Sequence, residues 1–285
     1  MTAHALFVGL TTLDLVHRVP SHVGANEKVS ALWQDVASGG PAANAAATFA
    51  ALGGSARLVT VLGAHPLALA ARTDLLQRGV DVVDATPDRD ELLPISAVRV
   101  IEATGERSVT SVNDAGADPT QPVGLDLAGV DAVVLDGWYR KLALAAAALA
   151  KSAGVPIILG AGSWRPLVEQ LLPLADYVIA SASFPVERIA AATPWAQTNG
   201  ADAVRWHTSD EDGALEVPPV KVLDTLGAGD AFLGAAAFAV ASGSISWPDA
   251  LGLAVNVASI RVQHIGMRAG LTAAAASTEL RRPAR

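Results

Sequence analysis

Short apolar and β-branched runs alternate along this chain with longer stretches rich in alanine and leucine. The runs over residues 6–10, 57–62, 131–135, 155–159 and 177–180 have the length and composition of strands buried on both faces. Between and after them, residues 42–52, 67–78, 142–153, 165–172, 228–241 and 248–263 predict helices. A βαβα order of this kind predicts an α/β fold, a doubly wound and mainly parallel sheet with helices on both faces.

Two regions break the rhythm, residues 27–36 and 95–112. In the second, Ser96-Ala97-Val98-Arg99-Val100-Ile101 and Arg107-Ser108-Val109-Thr110-Ser111-Val112 flank Thr104-Gly105-Glu106, which predicts a hairpin. Their polar and apolar residues alternate, as strands of a small sheet with one wet face do. The expectation is a single α/β domain over 1–285, with a small β-sheet lid inserted at about 25–36 and 95–112 that closes over a ligand. Apolar outer faces on such strands often pair between subunits, so a homodimer through the lid is an expected partner.

Composition narrows the function. At 285 residues and 51% hydrophobic, the chain has ample material for one large core. It has no cysteine, which excludes disulfides, thiolate metal sites and a cysteine nucleophile, and fits a cytoplasmic location. The net charge is −8 with pI near 5.2 and the basic residues are dispersed, so no nucleic-acid footprint is visible. Mean hydropathy is positive at +0.37, yet the longest apolar stretches, 142–150 and 231–241, fall short of the ~20 residues a membrane span needs. Met1-Thr2-Ala3-His4 has no basic region before its apolar run, so no signal peptide is expected, and residues 277–285 are expected to be a frayed, solvated tail. None of the six histidines has metal-type spacing, and no Gly-x-Ser-x-Gly or Walker-type string is present.

The segment with most chemistry is Asp224-Thr225-Leu226-Gly227-Ala228-Gly229-Asp230-Ala231-Phe232, where glycines free the backbone as a long apolar helix begins. Gly227 and Gly229 let consecutive amides turn toward one point, and the helix N-terminus adds partial positive charge there, which suits a transferring phosphoryl group. Asp230, in the same first turn, is placed to take a proton from an attacking hydroxyl. An isolated Gly-x-Gly-Asp would more simply cap a helix, with Asp230 complementing its dipole.

A second segment, Ser38-Gly39-Gly40-Pro41-Ala42-Ala43-Asn44-Ala45-Ala46, precedes Leu52-Gly53-Gly54. Gly39 and Gly40 permit close backbone approach to a polyol, and Asn44 offers donor and acceptor to neighbouring hydroxyls; a plain turn and a helix-start residue are the alternatives. Asp14, in Gly9-Leu10-Thr11-Thr12-Leu13-Asp14, is expected after the first strand, where open α/β sheets bind ligands.

Together the two segments resemble the N- and C-terminal signatures of the ribokinase-like (PfkB) carbohydrate kinases, and the likeness runs from about Leu6 to Leu271. The nearest branch is that of ketohexokinase and sulfofructose kinase. The resemblance implies ATP-dependent phosphorylation of a sugar, ketose-like, with Mg2+ accompanying ATP. Asp230 would be the base and the amides of Gly227, Ala228, Gly229 and Asp230 the anion hole. Asp14, Gly39, Gly40 and Asn44 would hold the sugar, with Lys28 and Asn113 as outer substrate contacts. Thr225, Gly227, Gly229, Asn256 and Gly266 would bind nucleotide, Gly266-Met267-Arg268-Ala269-Gly270-Leu271 forming a C-terminal loop beside it. Asp224 would join a backbone site for a monovalent cation such as K+.

The chain departs from the family pattern in places. Ser181 and Phe184 stand where an Asn and a metal-organising Glu are usual, with Glu187 one turn out of register. His207-Thr208-Ser209-Asp210-Glu211-Asp212-Gly213 replaces a Thr-x-Gly-x-x-Gly nucleotide loop, putting three acids where they would repel a triphosphate. Gly63-Ala64-His65-Pro66 lacks acids after its glycine, and Gly137-Trp138-Tyr139-Arg140 lacks the arginine that sulfonate recognition would want after Asp136. A degenerate sugar- or nucleotide-binding sensor, and a kinase for a nucleoside or other hydroxylated acceptor, are therefore the alternatives.

Overall fold

A computed structural model describes residues 2–113, 117–243, 245–266 and 268–279, with the backbone alone for 276–279. Its first half builds β1 (His4–Val8), β2 (Thr12–Val19), β3 (Trp33–Gly39), α1 (Pro41–Ala51), β4 (Ser55–Thr60), α2 (Pro66–Gln77), β5 (Val80–Asp84), β6 (Ile95–Ile101), β7 (Arg107–Ser111) and β8 (Ala132–Leu135). Its second half builds α3 (Arg140–Ala153), β9 (Ile157–Ala161), α4 (Pro166–Leu171), β10 (Tyr177–Ala180), β11 (Trp195–Asn199), β12 (Asp202–His207), β13 (Asp212–Leu215), α5 (Ala228–Ala241), α6 (Trp247–Arg261) and α7 (Ala269–Glu279).

Nine strands form one sheet in the order β13-β12-β11-β10-β9-β8-β1-β4-β5. Every pair from β11 across to β5 is parallel, and β12 and β13 add an antiparallel end. The two-residue pleat of β1 sends Phe7 into one apolar layer, with Phe49 and Phe232, and Leu6 and Val8 into the other, with Leu142 and Val168. Helices thus cover both faces, as the alternating pattern predicts. No helix among the described residues is long and apolar enough to cross a membrane.

The second sheet has the order β3-β2-β6-β7 and differs from expectation in its strands. Residues 25–32 carry no strand; they are exposed, with Asn26 at φ 60°, and β3 starts only at Trp33. The segment after β1, expected as a loop, is the strand β2, pairing with β3 on one side and β6 on the other. The expected hairpin is β6–β7, with Val100 opposite Arg107 and Gly105 at φ 69° in the turn. Strands β5 and β11 to β13 were not legible as runs. Ala269 to Leu271, expected as loop, open α7, which also takes in 277–279 of the expected tail; Met267 and residues 280–285 lie outside the described residues.

The order reverses between β8 and β1, and open α/β sheets bind ligands at such a switch, beyond the strand C-termini. Asp136, just after β8, pins that point: its carboxylate accepts from Leu10 N (2.8 Å), Ala42 N (3.1 Å) and Trp138 N (3.1 Å). It thereby satisfies an otherwise orphaned amide at the start of α1. Burial raises its carboxyl to about 6 in spite of the three donors.

The spacing of α1 and α5 depends on Gly234, where a Cβ would fall 2.4 Å from Ala45 O and 2.8 Å from the Thr48 Cβ. A glycine inside a helix ordinarily weakens it by about 1 kcal/mol relative to alanine. Here it lets the two helices close together, one turn from Asn44 on α1 and Asp230 on α5. Gly234→Ala should therefore lower the thermal midpoint despite the better helix former, because backbone must shift to admit the methyl. An unchanged or raised midpoint in a calorimetric scan would contradict the close-approach argument.

Candidate active site

Asp230 sits in the first turn of α5, whose N-cap, Gly227, adopts φ 74°, a left-handed conformation open to glycine at little cost. The first-turn amides of a helix have no intrahelical partner, so those of Gly229 and Asp230 stand at its positive end; Ala228 N already donates to Thr225 O at 3.3 Å. Asp230 keeps part of its surface open, and burial of the rest pushes its carboxyl above the ordinary aspartate value. Hydrogen bonding from Asn44 and the charges of Arg107 and Arg268 oppose that rise, and nearby Asp14 adds to it.

Asn44 Nδ2 donates to Asp230 Oδ2 at 2.7 Å, while Arg268 Nη1 donates to Asn44 Oδ1 at 3.0 Å. A guanidinium only donates and a carboxylate only accepts, so the two neighbours allow the Asn44 amide one orientation. Arg268 is itself fixed: Nη2 donates to Ser38 O and Oγ, each at 2.6 Å, and lies 3.4 Å from Asp74. Burial works to raise the Asp74 carboxyl, but Arg268 and its Ser38 bonds together hold it below the usual value.

Asp14 lies within β2 rather than in a loop, opposite Ala37 of β3 and Ser96 of β6. It is buried, accepts from Thr12 Oγ1 at 2.6 Å, and is pushed upward by burial. Gly39 is the residue that gives it room, since a Cβ there would overlap the carboxylate. Gly40, at φ 93°, has a different reason: a Cβ would fall 2.3 Å from Leu10 O. Both glycines are thus required by this packing alone.

The structure therefore brings Asp14, Gly39, Gly40, Asn44 and the 227–230 turn to one place. Lys28 and Asn113 are exposed, and no hydrogen bond or ion pair among the described residues joins either to the cluster. Asn256 is half-buried on α6. Thr225 faces the small sheet: its Oγ1 donates to Gly105 O at 3.1 Å and accepts from Arg107 Nη1 at 3.2 Å. A groove of about 380 Å3 opens beside that contact, lined by Val19, His22, Arg99, Arg107 and Thr225. Sequence reasoning gave no role to Arg107 or Arg268; their signal was a basic residue inside the hairpin and inside the C-terminal motif.

The family described as "pfkB family carbohydrate kinase" matches residues 2–183 and 187–274. The chain belongs to the pfkB carbohydrate kinase family. It is 27% identical over 284 residues to a ribokinase of Bacillus subtilis (strain 168), covering 93% of this chain and 94% of that one. Among solved structures, ribokinase from Thermotoga maritima superposes with a TM-score of 0.79 at 19% identity, covering 98% of this chain and all of the other. Ribokinase from Arabidopsis thaliana, complexed with ribose and ATP, gives 0.75 at 22%, covering 98% and 99%. At those identities the two structures speak for the fold.

Within this pfkB kinase the departures have physical explanations. Phe184 is buried against Trp164 (ring centroids 5.7 Å apart), so its position serves the core; Ser181 bonds Gly162 O at 2.8 Å, and Glu187 is exposed. The acidic segment is the turn of the β12–β13 hairpin, closed by Thr208 N donating to Glu211 O (2.8 Å). Of its three acids, Asp212 is paired with His207 (2.6 Å), whose ring is raised by the Ala191 carbonyl and by Asp212 itself. His65 caps α2, its Nδ1 accepting from Leu67 N at 3.2 Å. Arg165, lying 3.7 Å over the Trp138 ring, donates to Asp136 O.

Asp224 corrects the cation expectation. It is 1% exposed and enclosed: Oδ1 accepts from Leu226 N (2.9 Å), Oδ2 from Gly266 N (3.0 Å), and Arg261 lies 3.5 Å away. That leaves Gly266 N spent on Asp224 rather than open to a nucleotide, and the donor set does not fit an added monovalent cation. Among the described residues there is also no cluster of three or more His, Asp or Glu suited to a metal.

If Arg268 holds the Asn44 amide in place for Asp230, Arg268→Lys should raise the Asp230 carboxyl further, since one ammonium cannot serve Ser38 and Asn44 with the same fork. Asn44→Ala should raise it as well, by removing the donor. NMR titration of the carboxyl in folded variants checks both, and an unmoved titration in either would remove Arg268 or Asn44 from this role.

Proposed function

We propose that this chain transfers the γ-phosphoryl group of Mg-ATP to a hydroxyl of a sugar, ketose-like as the motif resemblance suggests, with Asp230 as general base. The observation that carries the proposal is a half-buried aspartate of raised pKa, 2.7 Å from a fixed Asn44 amide and in the same helical turn as first-turn amides. A base and an anion site sharing one turn suit attack of a hydroxyl on a phosphate.

On this reading Asp14 and Asn44 hold the acceptor's hydroxyls, with the backbone at Gly39 and Gly40 beside them. Asp230 takes the proton as the acceptor oxygen attacks, and the amides of Gly227, Gly229 and Asp230 receive the growing charge on the phosphoryl oxygens. Mg2+ enters with the phosphates of the nucleotide, which lies along Thr225 and Gly229 with its base toward Asn256 and the loop at Gly266, whose own amide stays on Asp224. Arg107, within reach of Thr225 and felt at Asp230, adds positive charge at the mouth of the anion site. Lys28 and Asn113 meet the far end of the acceptor when the small sheet closes. Ribose and ATP in the Arabidopsis relative support both substrate classes and make ribose the competing acceptor. Exposed Leu32, Val36, Val109 and Val112 on and beside the small sheet give a homodimer its apolar surface.

ADP release measured with ketoses, aldoses, sulfosugars and nucleosides should show acceptor-dependent turnover that Asp230→Asn lowers by ~10²–10⁴. ATP binding without ADP release from any acceptor would favour a sensor. Because Asp230 must be ionised to act and its carboxyl is raised, kcat/KM should fall on the acid side with an inflection above the ordinary aspartate range. The same shift gives a stability sign. A carboxyl with a higher pKa folded than unfolded disfavours the fold once ionised, so stability falls as pH rises through that window and stays lower above it. Asp230→Asn should therefore melt no lower than the parent at neutral pH, and a clear drop would count against a functional strain at this position.

A further inference from the structure

Arg261, the last residue of α6, is a buried cation whose partners are mostly backbone oxygens. Its side chain is 1% exposed; Nη2 donates to Leu226 O at 2.5 Å and lies 3.5 Å from Asp224 Oδ2, while Nη1 donates to His264 O at 3.0 Å and Asp224 O at 3.4 Å. Three carbonyls and one carboxylate from two separate loops thus converge on one positive charge. This is the kind of oxygen shell that a dehydrated monovalent cation takes, and the guanidinium fills it. Gly270 makes the arrangement possible from behind, since a Cβ there would fall 2.8 Å from Arg261 Cα.

A cap for the end of α6 would need only the His264 contact. The reach to Asp224 and Leu226 crosses to another segment, the one that turns directly into the amides of Gly227 to Asp230. Building on the kinase reading, we infer that Arg261 is a tethered replacement for a monovalent cation, so that the phosphate-binding turn is organised without K+ or any other free ion. A bound ion fills its site by mass action and varies with salt, whereas a covalently attached guanidinium is always present. Arginine suits the place because it stays charged when buried and its planar fork reaches several acceptors at once.

The test compares the parent protein in potassium chloride and in tetramethylammonium chloride at equal ionic strength, reading ATP affinity, thermal midpoint and ADP release, with rubidium-soaked crystals for ion density. Changes of less than about twofold in affinity and turnover, an unmoved midpoint and no rubidium at the Asp224, Leu226 and His264 oxygens are expected. Stimulation by potassium of about tenfold, equivalent to about 1.4 kcal/mol, or rubidium at those oxygens, overturns the inference. Arg261→Ala should weaken ATP binding in tetramethylammonium and regain it with added guanidinium or potassium. A folded variant rescued by neither ion also overturns it, and if the variant does not fold, the parent's salt comparison decides. Midpoint and rubidium density need no turnover, so a protein that binds no nucleotide in any salt refutes the kinase reading while leaving the cation question answered.

Discussion

The constraint on which the site depends is that a turn aiming amides at one point must send carbonyls the other way. Between Asp224 and Asp230 the backbone presents donors at the head of α5, and the carbonyls of Asp224 and Leu226 are left facing protein. Buried carbonyls need partners. Arg261 supplies them from α6, the Asp224 side chain ties the turn to Gly266, and the Thr225 carbonyl accepts from Ala228. Glycine at 227 permits the conformation; the arginine behind it satisfies the oxygens that the conformation exposes.

The same turn joins the two sheets. Leu226 packs among Val16, Val98 and Val100 beneath the small sheet, with Trp33 against them. Thr225 N and Oγ1 both bond Gly105 O at the tip of the hairpin, and Arg18 of β2 donates to Leu223 O at 2.7 Å while pairing with Glu102. A movement of the small sheet would therefore be felt at the first-turn amides of α5 through apolar contact and hydrogen bond together. On the proposed reading, that coupling is what a sheet covering an acceptor would use to link its occupancy to the head of α5.

The main sheet was legible because its central strands are uniformly apolar and its helices long. The end strands were not: β12 and β13 are short, polar and exposed in alternation, and β2 follows β1 so closely that the pair reads as one strand and a loop. Asn44 and Asp230 were legible through glycines beside them, which mark unusual backbone whatever its purpose, and Asp14 through its place just after the first strand. Arg261 and Arg268 were not, because a basic residue near a helix end is locally ordinary. Their importance lies in partners 35 and 224 residues away in sequence, which only the fold brings near.

Three aspartates at the C-terminal side of β1 and its neighbours, Asp14, Asp136 and Asp230, are all raised by burial, and they differ in how that burial is compensated. Asp136 is surrounded by backbone amides that anchor α1, so its acceptors are spent on the fold. Asp230 has one side-chain donor among the described residues, Asn44 on Oδ2, and the residue is half-buried. Burial alone therefore does not single out a base, since Asp136 is more enclosed and yet both its oxygens already serve backbone amides. What distinguishes Asp230 is incomplete satisfaction: a carboxyl raised by burial, with a single side-chain donor among the described residues. On the proposed reading a substrate hydroxyl completes that carboxyl, which would put chemistry at Asp230 and architecture at Asp136.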